Sequence, residues 1–269
     1  MIAHLINTDV GNRGILSLYL DYRRENFDFL KNAARIILEN PERVLIVTGF
    51  PIPPENVPET DGPPGALAIA KAVEMIGGRA EILSYPEVEA ALGEFKVSFA
   101  GSPRPEDYSV IVAVETPGRG KDGKARSMSG VPVEREIFDW IFIEARELGV
   151  PTIGIGDGGN EVGMGKIKDL VLRHIPRGDL IASTVETDEL VISAVSNWGA
   201  YGLVAQLSLE TGKNLLSGWD EGKVVRALVK AGIIDGVSKK VEESVDGISM
   251  EIHRRMVELL KAIVSESIG

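Results

Sequence analysis

The segment Gly156-Asp157-Gly158-Gly159-Asn160-Glu161-Val162-Gly163-Met164-Gly165 carries the residue types most suited to chemistry in this chain. Five of its ten residues are glycine. Glycine loses more backbone freedom on folding than any other residue, so this density marks backbone that takes positive φ or lies close to another group. Two carboxylates and an amide held in such backbone can serve as acid, base or orienting groups. A plain turn capped by acids is the simpler alternative, but a turn rarely calls for so many glycines. Two other segments have the same character. One runs from Thr48-Gly49-Phe50 to Thr60-Asp61-Gly62-Pro63-Pro64-Gly65, and the other is Glu115-Thr116-Pro117-Gly118-Arg119 with Lys121 and Asp122. Thr60 or Asp61 suits a helix cap with proline in the first turn, and free amides at a helix start attract anions. In Ser196-Asn197-Trp198-Gly199, Trp198 reads as a packing residue and Asn197 as one that points into a site.

Much chemistry is excluded. The glycine segment is not G-x-G-x-x-G, and no Gly-Lys-Ser or Gly-Lys-Thr is present. Its acids would repel a pyrophosphate unless a metal intervened, which makes a dinucleotide site a weak candidate. No serine sits in a G-x-S-x-G setting. There is no cysteine, so disulfides, thiolate metal sites and cysteine nucleophiles are ruled out. His4, His174 and His253 lack metal-ligand spacing, and His253 falls in an amphipathic helix pattern as a surface or packing residue. The net charge of −11 over 269 residues argues against nucleic acid or an anionic membrane as partner. A small anionic substrate needs only a few local cations. No apolar run is long enough to span a bilayer. Met1 to Ile6 does not read as a leader, and a cytoplasmic location is expected.

Apolar periodicity indicates which elements must position these residues. Helices are expected over Arg24–Leu38, Gly65–Ile76, Val133–Leu148, Ile192–Glu210, Glu221–Ala231 and Ser249–Val264. Strands are expected over Val44–Val47, Ala80–Leu83, Ser109–Val114 and Thr152–Ile155, with a fifth at Leu180–Val185. This alternation predicts an α/β fold: a single domain over residues 1–269, built as a three-layer sandwich with a mostly parallel sheet covered by helices on both faces. Ligands of such sheets bind beyond the carboxyl ends of the strands. Three loops distant in sequence are therefore expected to meet at one rim.

The motif series, from Thr48-Gly49-Phe50 through Glu59-Thr60-Asp61-Gly62-Pro63-Pro64-Gly65, Glu115-Thr116-Pro117-Gly118-Arg119, the glycine segment and Ser196-Asn197-Trp198-Gly199 to Asp235-Gly236-Val237 and Val245-Asp246-Gly247, resembles that of the D-glutamate cyclase family. The resemblance covers most of the chain, from about Asn12-Arg13-Gly14 onward. It implies a lyase that converts D-glutamate to 5-oxo-D-proline and water. Asp157, Glu161, Glu115 and Asp61 are the candidate acids and bases. Thr48, Gly49, Thr60, Gly62, Arg119, Gly158, Gly159, Asn160 and Asn197 are the candidate substrate contacts. Arg119 is the expected partner of the α-carboxylate, with Arg13 or Lys166 in reserve, and amides of the glycine loop are expected to hold an oxyanion. The expected partner is a small acidic amino acid, and homo-oligomerisation stays open. No cofactor is expected, although oxygen ligands at Asp157, Glu161 and Asp61 would suit magnesium or calcium. A lactam or amide hydrolase and a non-catalytic binder of acidic amino acids remain alternatives.

Overall fold

The computed structural model describes residues 1–269. Three helices, α1 (Ile2–Leu5), α2 (Ile15–Glu25) and α3 (Phe29–Glu39), precede strand β1 (Val44–Thr48). A two-stranded ribbon, β2 (Pro51–Ile52) and β3 (Val57–Pro58), leads into α4 (Pro63–Met75). Next come β4 (Ala80–Leu83), α5 (Pro86–Leu92), β5 (Ser98–Phe99), β6 (Val110–Val114), α6 (Trp140–Leu148) and β7 (Thr152–Gly156). The chain continues through α7 (Lys168–His174), α8 (Gly178–Ile181), β8 (Glu189–Ile192), α9 (Ser196–Thr211) and α10 (Glu221–Lys230). A second ribbon, β9 (Ser244–Val245) and β10 (Ile248–Ser249), precedes α11 (Met250–Ile268).

Six strands form one parallel sheet in the order β5-β4-β1-β6-β7-β8. The chain starts at β1, moves outward through β4 to β5, then returns to the other side of β1 and continues through β6 and β7 to β8. The direction of winding reverses between β1 and β6, so their carboxyl ends flank the crevice where open α/β sheets bind ligands. Alternation along each strand divides the core between the two faces. Val44 and Ile46 of β1 and Val110, Val112 and Val114 of β6 join the large core against α3, α4, α9 and α11. Leu45, Val47, Ile111 and Ala113 face the smaller core under α6. Helix α4 is buried from Pro63 to Val73 except at Lys71, as its all-round apolar pattern predicts.

The fold class matches expectation, but several boundaries do not. The helix expected over Arg24–Leu38 is two helices. The backbone N–H and side chain of Asn26 both donate to the Tyr22 carbonyl and end α2 there. The helix expected from Val133 starts only at Trp140, because the preceding segment pairs back on its own loop through Val133 N–H to Ala125 O. The strand expected at Leu180–Val185 opens instead with the helical turn α8. The edge strand on this side is β8, and Ile192 closes it instead of opening the helix expected from that residue. Short apolar runs do not distinguish a buried strand from a helical turn. No helix is long and apolar enough to cross a membrane.

Candidate active site

A cavity of about 380 Å³ opens at the carboxyl rim of the sheet. Glu59, Glu115, Asp157, Glu161 and Asp246 line it, together with Arg13, Lys239 and Asn160. Phe50, Ile52 and Val237 add apolar wall, and Ser127, Met128 and Ser129 come from the long loop before α6. The loops after β1, β6 and β7 therefore meet as the topology rule requires. A depression of about 680 Å³ between α2 and α7 is walled by side chains such as Arg24, Lys166 and Arg173 and shares no lining residue with this cavity.

The glycine loop is organised from within. Glu161 Oε1 accepts the amides of Asp157 (3.2 Å) and Gly158 (2.6 Å), and Oε2 accepts that of Gly159 (2.7 Å). These amides form a nest for an anion, and the anion is the loop's own glutamate. The expectation that they cradle a substrate oxyanion is thus corrected, and Glu161 holds the loop in shape. Gly158 has no room for a side chain. A Cβ there would lie 2.6 Å from Met128 Sδ and 2.8 Å from Asn160 Oδ1.

Asp157 projects from this loop into contact with Arg13. Arg13 Nη2 also donates to Asp246 Oδ2 at 2.9 Å and to the Ala194 carbonyl at 2.5 Å. The side-chain hydrogen bonds of this guanidinium to the protein all use Nη2, which leaves the Nη1 and Nε donors for a ligand carboxylate. Burial pushes the Asp157 pKa up, against the pull of Arg13.

Glu115 sits at φ +46°, a backbone conformation unusual for a side-chain-bearing residue. Its neighbour Gly62 (φ +98°) makes room for it: a Cβ on Gly62 would lie 2.7 Å from both Glu115 Cβ and Thr48 Oγ1. Such strained backbone gathers at functional sites. Glu115 Oε2 accepts the Ser196 hydroxyl at 2.5 Å. Burial raises the Glu115 pKa well above the usual carboxylate range, and Glu161 and Asp157 add to the shift. Glu59 is also raised by burial, then by Asp246 and Asp61.

Other predicted contacts are scaffold. Asp61 lies beneath the cavity and accepts the amides of Ser196 and Asn197, both at 2.8 Å, thereby capping α9. Burial and Asp246 raise its pKa against those two amides. Asn197 returns the favour to α4: its Oδ1 accepts from Gly62 N (3.0 Å) and Gly65 N (2.9 Å), and its Nδ2 donates to Thr60 O. Asn197 therefore does not point into the cavity, because each of its polar atoms is used in this exchange. Thr60 Oγ1 pins the Ser244 carbonyl at 2.8 Å. Gly49 packs on Ser84 and Tyr85. Thr48 is wholly buried, with an unpartnered hydroxyl beside Gly62. Gly159 packs on Val171. Arg119 is the clearest correction: it is clamped by Asp139 through Nε and Nη2, both at 2.7 Å, and is absent from the cavity wall.

Sequence reasoning gave no site role to Glu59, Lys239 and Asp246. Asp246 stands in the turn between β9 and β10 and is held there by Asp235, whose carboxylate binds Gly247 N and Ser244 Oγ, both at 2.7 Å. His253, expected at a surface or in packing, is wholly buried. It accepts the Trp198 indole N–H at 2.9 Å and donates to the Val245 carbonyl at 3.2 Å, which fixes the residue before Asp246. For a cation, two oxygen sets fall within 4.8 Å: Asp61, Asp157 and Asp246, and Glu115, Asp157 and Glu161. The Arg13 guanidinium already bridges Asp157 and Asp246 of the first.

Fold and site together define an open, parallel α/β protein with a carboxylate-rich small-ligand cavity at its switch point. Residues 2–261 match the family described as D-glutamate cyclase-like, C-terminal. The chain is 32% identical, over 324 aligned residues, to the human protein named "D-glutamate cyclase, mitochondrial". That match covers 98% of this chain and 51% of the human protein, so the chain spans about half the length of that relative. The chain belongs to the D-glutamate cyclase-like family.

Proposed function

We propose that this protein is an enzyme, a lyase that closes D-glutamate to 5-oxo-D-proline with release of water. The observation that carries this reading is the charge imbalance of the cavity: five carboxyls line it against two cations, Arg13 and Lys239. Crowded, buried carboxyls resist ionising together, so some hold protons while others stay ionised. Cyclisation needs both forms. One carboxylate takes a proton from the substrate ammonium. The freed amine attacks the side-chain carboxyl carbon, and a C–N bond forms. The departing oxygen takes two protons, one from a protonated carboxyl and the one the base removed. The C–O bond breaks, water leaves, and the second proton lost by the attacking nitrogen restores the protonated carboxyl. Asp157 is the base: burial raises its affinity for a proton, and its salt bridge to Arg13 offsets part of that rise, an offset Glu115 lacks. Glu115 is the acid, because burial and neighbouring carboxyls favour its protonated form. Arg13, not Arg119, anchors a substrate carboxylate. Holding the chain in a near-ring shape supplies much of the remaining acceleration.

This reading requires no cofactor, since Arg13 supplies positive charge at the acids. Incubation with each glutamate enantiomer, followed by chromatography of the lactam, tests it. Lactam from D-glutamate that persists in a chelator supports it. Absence of lactam from either enantiomer would refute it, and loss on chelation restored by magnesium would move the role of Arg13 to a divalent ion.

A further inference from the structure

Asn160 has one polar atom too many for its surroundings. The residue is 2% exposed. Its Nδ2 donates to the Arg126 carbonyl at 2.7 Å, which fixes the amide plane. Its Oδ1 is buried and has no partner. Buried acceptors are rarely left unpaired, and each exception calls for a reason. The oxygens around it are acceptors too. Glu161 Oε1, close to the same point above Gly158, is already holding two amides. Glu115 is bound by the Ser196 hydroxyl and Asp157 by Arg13. A ligand that brings an N–H donor to this wall completes the amide.

We infer that Asn160 Oδ1, with Asp157 and Glu115, receives the substrate's amino group, while a substrate carboxylate takes the free Nη1 and Nε of Arg13. The inference rests on the reading above and assigns it a direction. A primary ammonium offers three N–H donors and no acceptor, which suits a wall made of oxygens. An amide oxygen accepts an N–H without removing the proton, so Asn160 orients the nitrogen and Asp157 takes the proton. The site should then distinguish glutamate from glutarate, the same dicarboxylate without the amine, because loss of the amine leaves buried acceptors unpaired.

The test compares the KM for D-glutamate with the inhibition constant of glutarate. Where a variant does not turn over, melting-temperature shifts with each ligand give the same ratio. The wild type should favour D-glutamate by roughly tenfold or more, the value of one hydrogen bond to a charged group. Asn160→Ala should lower that ratio by about tenfold, the value of the one hydrogen bond removed, and leave glutarate binding unchanged. Asn160→Asp, which keeps an acceptor and loses the bond to Arg126, should retain the preference. An unchanged ratio in Asn160→Ala, with turnover of D-glutamate intact in the wild type, overturns this inference alone. Equal weakening of both ligands also overturns it, in favour of a structural role. A melting-temperature rise in magnesium alone, present in the wild type and absent in Asn160→Ala, overturns it in favour of a metal. Failure of the wild type to bind or convert D-glutamate overturns both readings.

Discussion

Two regions built from the same residue types have opposite degrees of saturation. At the α4–α9 junction, Asp61 caps one helix and Asn197 caps the other, and their polar groups meet backbone partners inside the protein. A short distance above, the cavity holds an asparagine with an unpaired oxygen and carboxyls raised by burial and by one another. The first arrangement is how buried polar groups contribute to stability. The second is costly unless a ligand completes it. Between Asn197 and Asn160, saturation, more than residue type, separates scaffold from site.

Mutations should sort along that line. Asn197→Ala leaves the amides of Gly62 and Gly65 without an acceptor and should destabilise the fold by about 3 kcal/mol. Chemical denaturation should show that loss, with kcat per folded molecule kept. A kcat loss with unchanged stability would place Asn197 in the site and erase the contrast.

Glu59→Gln should have the opposite sign. The Glu59 pKa is raised in the folded state, so folded and unfolded chains are both protonated below the ordinary carboxylate range. As pH rises above that range, the unfolded chain releases a proton that the folded chain retains, and the wild type loses stability. The glutamine variant has no such loss. Its melting temperature should match the wild type near about pH 4 and exceed it increasingly toward about pH 8. Equal melting curves across this range would mean that Glu59 is not held protonated by burial.

The smallest effect on catalysis is expected for Arg119→Gln. It removes the partner of fully buried Asp139 and should lower the melting temperature while leaving KM for D-glutamate unchanged. A large rise in KM would return Arg119 to the site.

The legibility of the sequence follows the same division. The β-branched runs of β1, β6 and β7 and the loops they deliver were readable because strand ends of a parallel sheet must share a rim, and Asp157, Glu115 and Asn160 came with them. Arg13 and Asp246 escape that rule. Arg13 stands in a loop ahead of α2, and Asp246 in an Asp-Gly turn of a short ribbon, where the same dipeptide reads as an ordinary hairpin. The clamping of Arg119 by Asp139 depends on a long loop folding back on itself, which periodicity does not encode. Nor could spacing show that the Glu161 carboxylate fills the amide nest of its own loop.

The central claim is that the Arg13-paired carboxylate of Asp157 takes the substrate's proton. The most direct measurement is the rate of lactam formation from saturating D-glutamate by Asp157→Asn, beside wild type of equal folded concentration. The account predicts a fall in kcat of roughly 10²–10⁴-fold with the melting curve still cooperative. Full activity in that variant would contradict it.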